Sequence, residues 1–383
     1  MTNTSAASPH SVSGAILADG QWLQGTLHIK AGRIERIEGT PVSEAEARPP
    51  WIVPGFIDLH VHGGGGRDVM EGGDAIATVA RAHTRHGTTT LLATTMTASH
   101  DDILKALTAV AEYRARQPAA GSQVAAADVA AEVIGVHLEG PYLNPGKLGA
   151  QPDCTRTATP AELDQYHARV PLKVITLAPE MLEDNGALEW LVAQGVKVQA
   201  GHTLADYATA QSAFQAGVTG FTHLYNAMPP LKHRDAGLLG FALANAEYAE
   251  IIPDLEHVDA GAIKVALRAI PKLYAITDGT AACCMPDGEY RLGTQKVFKQ
   301  GGCVRLAEGG LAGSCLTLDQ AVRNFMSLGC SLAEACERVA TIPAAYLGLE
   351  DRGLLREGLR ADIAVLDRQH EIKAVLCNGN ALA

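Results

Sequence analysis

Two histidines, His60 and His62, stand two residues apart in the run Asp58-Leu59-His60-Val61-His62. In an extended strand that spacing puts both side chains on one face, which is what two imidazoles need to approach one ion. The chain also offers Glu139 in His137-Leu138-Glu139-Gly140-Pro141, His202 after Gly201, His223 after Thr222, Asp254 with His257, and Asp278 in Thr277-Asp278-Gly279-Thr280. Taken singly, each has a plain structural reading: a half-buried histidine, a Glu-Gly-Pro turn, a helix N-cap at Asp278. Taken together, imidazoles and carboxylates suit a divalent metal, zinc or iron. Such an ion lowers the pKa of a bound water and polarises a carbonyl oxygen. A carboxylate beside it takes the proton of the water and returns it to a leaving amine. There is no Gly-x-Ser-x-Gly elbow and no cysteine in a nucleophile motif, so a covalent route is not indicated. Metal-dependent hydrolysis of an amide is the natural reaction.

These residues do chemistry only if the fold gathers them. Short apolar, β-branched runs recur at 52–59, 88–94, 133–138, 172–178, 196–200, 218–222, 249–253 and 273–277, with Ala/Leu/Glu-rich stretches between them. Continuous apolar strands alternating with helices indicate parallel strands buried on both faces. Eight such units predict an α/β fold, a closed (β/α)8 TIM-like barrel, whose catalytic groups hang from the C-terminal strand ends. The candidate ligands fall at those ends. The four glycines at 63–66 lack the spacing and the Lys-Ser/Thr of a phosphate loop and read as a flexible turn. Segments 14–38 and 361–377 alternate differently, with hairpin signals at Asp19-Gly20 and Ala31-Gly32. They predict a small β-sandwich domain built from both termini, residues 1–52 and 348–383, flanking a catalytic barrel at 53–347.

Of the 383 residues, 47% are hydrophobic and 19% charged, with a formal net charge of −11. That is globular composition, and the acidic balance argues against a nucleic-acid partner. A pocket sets its own local charge, so a phosphorylated small substrate remains compatible. The start, MTNTSAASPHSVSG, has no cationic n-region and no apolar h-region, so no signal peptide is expected. With no run of 18 apolar residues, no membrane span is expected either. The eight cysteines lack paired zinc spacings and read as reduced thiols of a cytoplasmic protein.

Several stretches carry a family resemblance. Pro54-Gly55-Phe56-Ile57-Asp58-Leu59-His60-Val61-His62 resembles the first-strand signature of the amidohydrolase superfamily, and Gly358-Leu359-Arg360-Ala361-Asp362-Ile363-Ala364-Val365 resembles its return into the small β-domain. His137 to Asn144, Thr222-His223-Leu224-Tyr225-Asn226-Ala227-Met228, Thr277-Asp278 with Pro286 to Gly293, and Leu311-Ala312-Gly313-Ser314 are similar to the N-acetylglucosamine-6-phosphate deacetylases. The resemblance spans nearly the whole chain. It implies that Glu139, His202 and His223 hold the main metal and that Asp278 is the general acid and base. It further implies that Asn226 and the backbone of Ala227 contact the phosphate of an amino sugar, and that His257 contacts the substrate and helps to polarise the acetyl carbonyl. Arg234 falls at the spacing of the family's phosphate arginine, which in homodimers of this kind reaches in from the neighbouring subunit; a guanidinium suits phosphate.

Three features depart from the family pattern. Some members replace the strand-one histidines and keep one metal; here His60 and His62 both stand, so capacity for a second ion bridged by Glu139 is expected, weaker because it lacks a carboxylate of its own. The loop after Glu139 usually ends Lys-x-Gly-x-His, whereas here Lys147-Leu148-Gly149-Ala150 ends in Gln151. Asp-Gly-x-His becomes Asp254-Leu255-Glu256-His257. Both changes fall where the sugar should lie and leave its epimer open, N-acetylgalactosamine 6-phosphate included. A cyclic-amide hydrolase of the dihydroorotase or hydantoinase type would need a lysine ending the fourth strand, which instead ends Thr176-Leu177-Ala178-Pro179 with Lys173 near its start. A degenerate non-enzymatic barrel would have lost ligands, and none of Glu139, His202, His223 or Asp278 is missing.

Overall fold

The computed structural model describes residues 10–119 and 121–382. The first nine residues, which include most of the stretch considered for a leader, lie outside it.

Eight parallel strands form the barrel: Phe56–Val61, Thr88–Thr95, Glu132–Glu139, Leu172–Leu177, Lys197–Ala200, Val218–Phe221, Tyr248–Ile251 and Lys272–Ala275. The first six form one sheet and the last two a second. Hydrogen bonds at the C-terminal ends close the ring: Leu224 N–H donates to Glu250 O, and Asp278 N–H to His60 O, each at 2.9 Å. Strands such as Thr88–Thr95 and Phe56–Val61 are buried at every residue, because side chains fill the barrel on one face and meet the helix ring on the other. The TIM-like barrel expected from the sequence is therefore found. One run needs correction. Segment 52–59 is two strands, since Trp51–Pro54 belongs to the terminal sheet and only Phe56–Val61 to the barrel. Continuous apolar character hid the change of sheet at Gly55.

The terminal sheet has seven strands in the order Asn380–Ala381, Ile372–Cys377, Ile363–Leu366, Trp51–Pro54, His10–Ala18, Gln21–Lys30, Arg33–Pro41. Its own core includes Ile16, Leu27, Ile29, Ile34, Ile52 and Ile363. The hairpin at Asp19-Gly20 has both turn residues at positive φ, as a two-residue turn with the right-handed twist of the strands requires. The glycines at 63–66 are a correction of the same kind. They form an ordered hairpin, Gly63 opposite Asp68 and Gly64 opposite Arg67, with Gly65 and Gly66 at positive φ.

Between the last barrel strand and its helix the chain inserts a three-stranded antiparallel sheet, Gly288–Leu292, Gln295–Gln300 and Cys303–Leu306. It stands over the mouth of the barrel and sends Leu292 to the cavity there. Among the described residues no helix is long and apolar enough to cross a membrane.

Candidate active site

Strand ends deliver the polar side chains. His60 and His62 leave strand one, Glu139 ends strand three, and His202, His223 and Asp278 sit just beyond strands five, six and eight. The last three have φ of 49°, 29° and 49°, a left-handed backbone that costs roughly 1–3 kcal/mol at a non-glycine residue. Asp278 starts no helix, so its N-cap reading is set aside. Its backbone is clamped by the Leu311-to-Ser314 motif: Ser314 N–H donates to Asp278 O at 2.8 Å, and Ser314 Oγ donates to Thr277 O. Gly313, at φ 55°, has no room for a Cβ, which would lie 2.6 Å from Thr280 Cγ2 and 2.9 Å from Asp278 O.

The ring nitrogens converge. Nε2 of His202 and Nε2 of His223 are 3.0 Å apart, and each is 3.2 Å from Glu139 Oε1. Ligands at about 2.0–2.1 Å from a tetrahedral ion are separated by about 3.3–3.4 Å, so these three atoms outline one face of such a site. On the other side, His60 Nε2 and His62 Nε2 are 3.2 Å apart. Glu139 Oε2 lies 3.1 Å from His62 Nε2 and Oε1 3.4 Å from His60 Nε2. Asp278 Oδ1 lies 3.3 Å from His62 Nε2 and 3.5 Å from His60 Nε2. Glu139 thus faces both groups. Asp278 Oδ1 is a further carboxylate oxygen facing both strand-one imidazoles. A third grouping, His60 with His137 and Glu250, is not a metal site: His137 Nδ1–H donates to Leu59 O at 3.0 Å and its Nε2 is engaged by Thr176 Oγ1 at 2.7 Å.

Electrostatics fit a cation. Glu139, Asp278 and Glu250 are all buried at one place. Burial pushes the His60 ring down, but Glu139 and Glu250 outweigh it and hold the ring well above its usual range. Burial likewise opposes protonation of His62, while Asp278 and Glu139 raise it to about 9. Burial pushes the Glu139 and Asp278 carboxyls up, and the facing histidines hold both below the ordinary carboxylate range. A cluster that draws protons onto its imidazoles in this way is one that a divalent ion would satisfy. The Nδ1 atoms of His62 and His223 are buried without hydrogen-bond partners, so the polar contacts of these two rings are made through Nε2, on the side of the cluster. The residues present fit a divalent metal.

The cavity here, about 560 Å³, is lined by His62, Glu139, His202, His223, Asp278 and His257, and also by Gln151, Asn226 and Ala227. His257 Nδ1 is 2.6 Å from Asp254 Oδ2, which fixes the ring. Gln151 is occupied at both ends, its Nε2 donating to Glu139 Oε2 and its Oε1 accepting from Thr97 N–H at 2.7 Å. Of the ligand and substrate candidates from the sequence, His60 lies buried behind this lining, against His62 and Glu139, and Arg234 is not brought to the cavity; it is exposed in the loop at 229–236. Sequence reasoning missed Asp58 and Glu250. Asp58 accepts from Thr277 Oγ1 at 2.6 Å and Thr277 N–H at 3.2 Å, tying strand one to strand eight. Burial raises its carboxyl to about 7. Glu250 was visible as a lone charge in the apolar run Tyr248-Ala249-Glu250-Ile251-Ile252, a strand with both faces covered.

Comparison with known proteins agrees with this geometry. A 38% identical relative, covering 95% of this chain and 96% of its own, is an N-acetylgalactosamine-6-phosphate deacetylase of Escherichia coli O157:H7. A 36% identical one, over 92% of this chain and 88% of its own, is an N-acetylglucosamine-6-phosphate deacetylase of Lysinibacillus sphaericus. A solved structure of a mutant N-acetyl-D-glucosamine-6-phosphate deacetylase from Mycobacterium smegmatis, in complex with N-acetyl-D-glucosamine-6-phosphate, superposes with a TM-score of 0.87 at 32% identity, covering 98% of this chain and 100% of that one. The model of the Amidohydrolase family matches residues 51–382, so that barrel, polar mouth and relatives agree: the chain is a hydrolase and belongs to the metal-dependent amidohydrolase family.

Proposed function

We propose that this chain hydrolyses the acetamide of N-acetyl-D-glucosamine 6-phosphate to D-glucosamine 6-phosphate and acetate. The observation that carries the reading is the convergence of Glu139, His202 and His223 beside Asp278, in a cavity also lined by Asn226, Ala227 and His257. A divalent ion, zinc or iron, held by Glu139, His202 and His223 supplies an acidified water and a Lewis acid for the acetyl carbonyl when bound. His60 and His62, with Glu139, would hold a second. Asp278, kept ionised by the facing histidines, takes a proton from water at Oδ1 and gives it to the departing sugar nitrogen. Burial pushes the His257 ring down, but Asp254 outweighs it and holds the ring above its ordinary range, so His257 donates Nδ1–H to Asp254 and presents Nε2–H of its protonated ring to the acetyl oxygen. Asn226 and the left-handed backbone of Ala227, φ 53°, receive the phosphate.

Arg234 belongs, in this reading, to the site of a second subunit. Its loop leads into the helix Gly237–Asn245, and exposed Leu231, Tyr207 and Phe214 lie against that helix. An apolar surface of this kind suits a homodimer interface. Eight cysteines without a disulfide fit a cytoplasmic enzyme.

The 4-epimer, N-acetylgalactosamine 6-phosphate, is the second reading. Gln151 favours it, since a neutral amide tied to Glu139 and Thr97 replaces the histidine usual in N-acetylglucosamine-6-phosphate deacetylases. Acetate release from the two phosphorylated epimers and from unphosphorylated N-acetylglucosamine, each with and without a chelator, tests both. Chelator-sensitive release from a phosphorylated sugar is expected, with kcat/KM ranking the epimers. Release that ignores both chelator and phosphate would overturn the reading.

A further inference from the structure

Beneath the ligand cluster the barrel is crossed by a layer of buried polar side chains. Glu250, on strand seven, is wholly inaccessible to solvent. Its oxygens meet three donors. His60 Nδ1–H lies 3.1 Å from Oε2, the backbone N–H of His223 lies 3.3 Å from Oε2, and Tyr274 OH lies 3.3 Å from Oε1. Tyr274 is in turn held by Gln199, whose Nε2 donates to it at 2.9 Å. An isolated buried carboxylate would cost several kcal/mol, and apolar residues fill this strand position in a packed barrel without such cost, so the side chain needs a reason to be there.

The bond from His60 supplies it. A carboxylate only accepts, so with a metal bound His60 would keep its proton on Nδ1 and turn the Nε2 lone pair toward the side where His62, Glu139 and Asp278 lie. Its neighbour is different: among the described residues His62 Nδ1 has no hydrogen-bond partner. We infer that Glu250 is a positioning residue which sets the tautomer and orientation of His60, and through it the strength of metal binding at the strand-one side of the cluster. The two-ion part of this inference rests on the metal-centre reading above; the tautomer part does not. Carboxylate–histidine pairs of this form change metal affinity by about 10–100-fold when broken.

The test uses the intact zinc-loaded enzyme with ¹⁵N-labelled histidine, the His60 signals being assigned by their loss in His60→Gln. A wild-type His60 protonated at Nδ1 and not at Nε2 is expected; protonation at Nε2 would overturn the proposal whatever the metal count. Zinc titration gives the second readout. Wild type is expected to take two equivalents, and a single equivalent would sink the two-ion reading while leaving the tautomer result to decide this one. Glu250→Gln should weaken the equivalent that His60→Gln also weakens, by about 10–100-fold, and spare the one on Glu139, His202 and His223. In a His60→Gln background, Glu250→Gln should change zinc affinity no further and should raise Tm, since it removes a buried charge that has lost its partner. Unchanged zinc binding in Glu250→Gln, or equal weakening in both backgrounds, would show that Glu250 does not act through His60.

Discussion

Asp278 and His62 illustrate how neutral pH and burial are reconciled at single residues. Each would be driven to its uncharged form by burial, and each is kept charged by the other and by Glu139 or His60. Asp278 therefore enters the reaction as a base. Asp278→Asn keeps shape and removes that capacity, so kcat should fall by at least ~10²-fold while metal on Glu139, His202 and His223 is retained; near-normal turnover would take Asp278 out of the mechanism. Leu255 makes a smaller point. It stands where relatives are expected to carry glycine, has φ 69°, and is 40% exposed. A left-handed leucine costs about 1–2 kcal/mol, and glycine gives back about 0.4–1 kcal/mol through the freer unfolded chain. Leu255→Gly should accordingly raise stability by up to about 1.6 kcal/mol in urea unfolding. A loss of stability would mean that the Leu255 side chain has a packing or substrate role.

Among the elements, the barrel strands were legible because burial on both faces writes them as uninterrupted apolar runs, and because ligand residues cluster where those runs end. The join at Gly55 was not legible, since Trp51–Pro54 and Phe56–Val61 are both buried strands and nothing in their composition says that they serve different sheets. Glu250 was overlooked for the opposite reason: one charge inside an apolar run does not disturb the pattern that names the strand. Asp278 was recognised as a carboxylate, but its place between His60 and His62 depends on a hydrogen bond from strand eight to strand one, across more than two hundred residues of sequence. The helix ring has a similar closure. His86, just after the helix Ala75–Thr84, lies 3.3 Å from Asp319 at the start of the helix Leu318–Ser327, so the first and last helices of the barrel are paired. Asp319, with Cys284 beside it, raises the His86 ring from 6.5 to about 10. The pair therefore stabilises fully below pH 6.5, and its contribution is lost as pH rises toward 10. Wild type should exceed His86→Gln in Tm at pH 6, with the gap closing by pH 10; a gap independent of pH would show that packing, not charge, joins these helices.

For the molecule as a whole, the geometry turns on how a phosphate reaches a guanidinium. The cavity holds Asn226 and Ala227, but Arg234 is exposed in a loop outside its lining. If the arginine serves the same subunit, the loop must fold inward on binding; if it serves a neighbour, the site is complete only in the dimer. The exposed apolar side chains around Gly237–Asn245 favour the second. Mixed dimers separate the two. Arg234→Ala should raise KM for the phosphorylated sugar, and Asp278→Asn should abolish turnover, each when assayed alone. When the two variants are unfolded together and reassembled at equal amounts, half the dimers are mixed. With the arginine acting across the interface, one site of each mixed dimer carries both lesions and the other carries neither, so about a quarter of wild-type activity at low substrate should return with wild-type KM. With the arginine acting within its own subunit, every site keeps one lesion and no wild-type KM component appears. Recovery of that component on mixing is the expected result, and its absence in reassembled dimers would return Arg234 to its own subunit's site or to the surface.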